Sequence, residues 1–118
     1  MKLTDYHFPD KEIGFGRLLG IMQNHGFVIG EHWDYERVTF DLQMPDESDP
    51  GTFYLRVPAY AIDGDIPHDE TTVKIMTPLL GRHYYPHGVE YGEDENFPGK
   101  IVNKSKQKLA TVDEELND

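Results

Sequence analysis

His83 and His87 stand four residues apart with Glu90 three further on, and imidazole plus carboxylate is a donor set for zinc or another borderline metal. On a helix, histidines at i and i+4 would share a face. Pro86 and Gly88 break that geometry here, and the Glu-His order of the zinc-protease helix motif is missing. Hydrogen-bonded loop histidines are the preferred reading. A metal-dependent enzyme or metal-binding protein using His83, His87 and Glu90 is the alternative. Trp33, Tyr35, Tyr85 and Tyr91 add large amphipathic rings, which supply binding area at low entropy cost.

Other chemistries find less support. Asp63, Asp65, Asp69 and Glu70 invite a calcium loop, but counting from Asp63, His68 falls where an EF-hand needs glycine and Lys74 where it needs glutamate. A solvated acidic turn fits better. The glycines at 14, 16 and 20 imitate a dinucleotide fingerprint, yet the last is one place late and no βαβ unit surrounds them. No Gly-x-Ser-x-Gly elbow is present. With no cysteine, thiolate nucleophiles, thiolate metal sites and disulfides are all excluded. The expectation is a non-catalytic binding or regulatory protein without a cofactor.

Composition narrows the partners. Twenty-two acids against eleven bases give a net charge of -11, which repels nucleic acid. There is no apolar run long enough to span a membrane and no export signal, so a cytoplasmic protein is expected. A chain of 118 residues with 37% hydrophobic content reads as a single domain over 1–118.

The elements that must position these residues follow from hydrophobic period. A short strand is expected within 1–8. From Ile13 the pattern turns helical, with Phe15, Leu18, Leu19 and Met22 on one stripe and Gly26 as left-handed C-cap. Strands follow over 27–33, 38–44 and 53–61, and a fourth carries Val73 and Ile75 and ends near Pro78. Pro58 cannot donate to a ladder, which predicts an edge or a bulge there. Residues 77–98, rich in proline and glycine, read as an ordered connection. A second helix covers 100–116, with Ile101, Ser105, Leu109, Val112 and Leu116 along one side. The fold class is α+β, a two-layer sandwich: an antiparallel sheet of four to five strands with two helices on one face, in β-α-β-β-β-β-α order.

Two stretches, Trp33-Asp34-Tyr35-Glu36-Arg37-Val38-Thr39 and Thr77-Pro78-Leu79-Leu80-Gly81-Arg82-His83-Tyr84-Tyr85-Pro86-His87-Gly88-Val89-Glu90-Tyr91, resemble the YugN-like family of small bacillary proteins. Gly26-Phe27-Val28 and the C-terminal helix fit it too, so the likeness covers nearly the whole chain. The resemblance implies a cytoplasmic single-domain protein with no assigned reaction, cofactor or partner, and supplies no catalytic residue.

Two expectations complete the reading. Residues 82–91 pack near Trp33 and Tyr35 and bound a pocket for a small polar or cationic ligand, with His83, His87 and Glu90 as its polar groups. The competing account is that the stretch only seals the core. The sheet face opposite the helices, carrying Tyr54, Arg56, Tyr60 and Met76, is amphipathic enough to form a homodimer; the alternative is that the loops fold over it.

Overall fold

Alternation builds the two long strands that carry everything else. Val38, Phe40, Leu42 and Met44 point one way from β3 (Arg37–Pro45), and Phe53, Leu55, Val57 and Ala59 point the same way from β4 (Thr52–Asp63). Their register sets Phe40 opposite Val57 and Leu42 opposite Leu55, so one face is continuously apolar. The computed structural model describes residues 1–31, 33–45, 52–83, 89–90 and 97–117, and for residues 45, 89 and 90 the backbone only. Around the two long strands lie β1 (Glu12–Gly14), α1 (Phe15–Asn24), β2 (Val28–Ile29), β5 (Thr72–Ile75), β6 (Leu79–His83), β7 (Val89–Glu90) and α2 (Gly99–Leu116). All pairings are antiparallel, in the order β1-β5-β4-β3-β2, with β6 also on β4 and β7 on β6.

The α+β class and the two-helix layer match the expectation, but among the described residues the sheet has seven strands, where four to five were expected. The extra strands are short. Two of them, β6 and β7, come from the 77–98 stretch read as a connection. The strand sought within 1–8 is reduced to a single bridge, Lys2 opposite Leu79, and the first true strand is β1. Helix α1 starts at Phe15 rather than Ile13 because Ile13 pairs with Val73 across the sheet. Strand β2 keeps only two of the seven residues expected of it.

Pro58 lies in the central strand, neither at an edge nor at a bulge. In extended backbone a residue's nitrogen and carbonyl point to the same side. The Pro58 carbonyl accepts the Met76 N–H at 2.8 Å, so its donorless nitrogen faces the β5 side as well. The reciprocal bond cannot form there, and β5 ends at Ile75, before β6 resumes at Leu79. Proline is tolerated because it sits at that break.

Both helices cover the apolar face. Phe15, Leu18, Ile21 and Met22 of α1 and Ile101, Leu109, Val112 and Leu116 of α2 join the strand residues in one buried cluster, with Leu19 and Leu42 partly buried against it. The Phe15 and Phe40 rings lie 6.3 Å apart. Buried Ser105 donates to the Ile101 carbonyl at 2.9 Å, which satisfies its hydroxyl inside the stripe. Gly26 adopts φ +87 as expected, and the Gly26 and Phe27 amides donate to the Gln23 and Met22 carbonyls, a Schellman closure of α1. The acids late in α2, which oppose its macrodipole, are used elsewhere: Asp113 accepts the His7 amide and Glu115 meets His25 at the end of α1.

Candidate functional site

The turn into β3 is built by one aspartate. Asp34 Oδ1 accepts the amides of Glu36 and Arg37, both at 2.8 Å, and these bonds, with the Arg37 charge, hold its carboxyl below the usual aspartate range. The strand end is then tied down: the Glu36 carbonyl accepts the Ala61 amide at 2.7 Å and the Tyr35 carbonyl accepts the Ile66 amide at 3.0 Å. Between this turn and the end of β4 opens a cavity of about 350 Å³. The cross-strand pair Arg37 and Tyr60 contributes to it from the helix-free face, and Tyr35, Glu36, Ile62 and Asp65 line it around them. Tyr35 is 68% exposed, so its ring stands at the mouth.

The residues expected to form the site divide. Tyr35 lines this cleft; Trp33, 44% exposed, lies two residues before it. His83 stands at the other end of the sheet, paired with Thr52, its ring 6.3 Å from that of Tyr54. From Thr52 to Ala61 is about 30 Å of strand at 3.3 Å per residue. The expected meeting of 82–91 with Trp33 and Tyr35 is therefore not made by Arg82 or His83. The reason is register: β6 runs antiparallel beside residues 52–56 of β4, which carries His83 away from the Tyr35 end. Tyr85, His87 and Tyr91 lie outside the described residues. Glu90 is described by its backbone, in β7 opposite Arg82.

Reading the sequence alone missed Arg37, Tyr60, Ile62 and Asp65. Two signals pointed toward them: Asp34 and Glu36 as turn formers, and Tyr60 on the non-core phase of a cleanly alternating strand. What was not visible was that the two meet.

The acidic turn at 63–70 leads into the cap of α1. The Asp69 and Thr71 carbonyls accept the Gly16 and Phe15 amides at 3.1 and 2.7 Å, capping the helix start. Among the described residues, no three histidine, aspartate or glutamate side chains gather as a metal site.

At the centre of the helix-free face Arg56 pairs with Asp41, Nε to Oδ1 at 2.8 Å and Nη2 to Oδ2 at 2.9 Å. Gly30 lies against the same carboxylate, which helps to bury it.

Comparison with known proteins places this geometry. The profile of the YugN-like family matches residues 5–117. The chain is 49% identical over 112 residues to the uncharacterized protein YlbA of Bacillus subtilis, spanning 95% of this chain and 92% of that protein. It is 30% identical over 70 residues to the uncharacterized protein YugN of the same organism, 59% of this chain and 51% of that protein. In fold it is similar to the crystal structure of the uncharacterized conserved protein YugN from Geobacillus kaustophilus, with a TM-score of 0.85 at 40% identity, over 99% of this chain and 95% of that one.

Proposed function

The chain belongs to the YugN-like family, and on that premise we propose that it is a non-catalytic binding protein of the cytoplasm, a single domain that takes a small cationic or polar neutral ligand in the Tyr35–Tyr60 cleft. The observation that supports this reading is the cleft's lining: two tyrosines and two carboxylates around one arginine. Ring faces attract cations, and Glu36 and Asp65 outnumber Arg37, whose charge already acts on Asp34. A volume of about 350 Å³ suits a small metabolite. Among the described residues, the lining offers no serine, threonine or histidine for covalent or imidazole chemistry. No helix among the described residues is long and apolar enough to cross a membrane.

The test is thermal melting with choline, spermidine and arginine amide as cationic probes and acetate and phosphate as controls. At least one cation should raise Tm of the wild type. Each kcal/mol of binding raises Tm by roughly 4 °C in a chain of this length. Tyr35→Ala, which removes an exposed ring, should keep the unliganded Tm and lose the rise. A polar neutral probe, glycerol, is run beside them; cations and glycerol that all leave Tm unchanged, or that shift both proteins equally, would sink the reading.

A further inference from the structure

The helices leave one face of the sheet uncovered among the described residues, and its make-up differs from that of the chain as a whole. Strand register places on it Tyr54, Arg56, Pro58 and Tyr60 of β4, with Val28 of β2 beside Asp41 and Leu79 beside Arg56. Val28 is 63% exposed and Met76, at the break after β5, is 38% exposed. The charged side chains that register puts here are four bases, Lys2, Arg37, Arg56 and Lys74, and three acids, Glu12, Asp41 and Asp63. Of these, Asp41 and Arg56 already neutralise each other. In a chain of net charge -11, this face is close to neutral.

We propose that this face, around Tyr54, Arg56, Val28 and Met76 and short of the Arg37–Tyr60 cleft, is the interface of a homodimer, and that its occupant is a second copy of the chain. The argument is electrostatic. Two copies at -11 repel, and they approach at lowest cost where carboxylates are scarce and charges are paired. An acidic partner would call for a basic face, which four bases against three acids do not make. Size falls at the small end of stable interfaces. The strands run from two to twelve residues, and at about 3.3 by 4.8 Å per residue they give a flat face on the order of 600 Å². A standard interface buries about 800 Å² per partner. Tyrosine, arginine and methionine, half-buried at Tyr54 and Arg56 and exposed at Met76, are side chains that such interfaces enrich.

The experiment is sedimentation velocity on the full chain at roughly 100 μM, a hundredfold above a micromolar Kd. The expected mass is twice 13.6 kDa. Added salt, from about 0.01 to about 0.15 M, should tighten the dimer as the Debye length falls from ~30 to ~8 Å and the repulsion is screened. Val28→Asp and, separately, Met76→Asp place a new charge on exposed positions. Each should give a monomer with unchanged circular dichroism. Tyr35→Ala should leave the mass unchanged, so failure of the ligand reading and failure of the dimer are separable. A wild-type mass of 13.6 kDa, a dimer that loosens with salt, or a dimer that survives both aspartate variants would overturn the proposal.

Discussion

Arg56 holds Asp41 by two parallel hydrogen bonds, at 2.8 and 2.9 Å, between neighbouring strands on the face that the helices leave uncovered. Both side chains are less than a third exposed, so the pair is shielded enough to matter to stability. Removing one partner leaves the other charge half-buried without its bidentate mate. Asp41→Ala should cost about 2 kcal/mol in urea unfolding. In a double-mutant cycle with Arg56→Ala, the coupling should reach about 1 kcal/mol. Purely additive effects would show that the pair is an ordinary surface contact.

Gly30 should resist substitution. A Cβ there would fall 2.9 Å from Asp41 Oδ2 and clash with Thr39 Oγ1. Gly30→Ala is expected to destabilise by about 1–3 kcal/mol, the usual cost of overpacking. Adding Thr39→Ala should recover part of the loss in the same denaturation assay, because one of the two clashes is then relieved.

The Gly26 position tests the closure of α1. Its φ of +87 puts it in the left-handed region, and the Leu42 side chain would be only in ordinary contact with an added Cβ. Gly26→Ala should therefore cost about 1–2 kcal/mol through backbone strain alone. Gly20→Ala makes the contrast: it sits in the helix with nothing near an added Cβ, and should stabilise by about 1 kcal/mol. Melting curves of the two variants moving in opposite directions would establish the difference.

Asp34 gives a pH signature. Its folded carboxyl titrates below its unfolded value because the Glu36 and Arg37 amides, and the Arg37 charge, favour the ionised form. A depressed carboxylate contributes stability that is present above the unfolded pKa of 3.8 and is lost as pH falls through the folded value. Carbon-detected NMR should place the Asp34 midpoint below 3.8. In Asp34→Asn the acid-induced loosening of this turn should lose that component.

The periodicity of the sequence determined what depends on local patterning. Alternation along 38–44 and 53–61 marked β3 and β4 and their buried phase, and the 3.6-residue stripe named the α2 residues that are buried, Ser105 included. Gly26 announced its own cap, because only a residue without Cβ adopts that backbone readily. These signals are legible because each is carried by residues a few positions apart.

Tertiary structure decided which elements became neighbours. Strands β1, β2 and β7 are two or three residues long and have no period to read; they exist because an adjacent strand offers its free edge. Pro58 looked like an edge residue, since the sequence cannot reveal that its partner strand breaks opposite it. Trp33, Tyr35 and His83 were joined as one site on residue type alone, whereas pairing with β4 carries His83 to one end and leaves Tyr35 at the other beside Tyr60. Chain neighbours fix the conformation of a strand, but hydrogen-bond register between distant segments fixes which side chains share a cleft, and that register is a property of the assembled sheet.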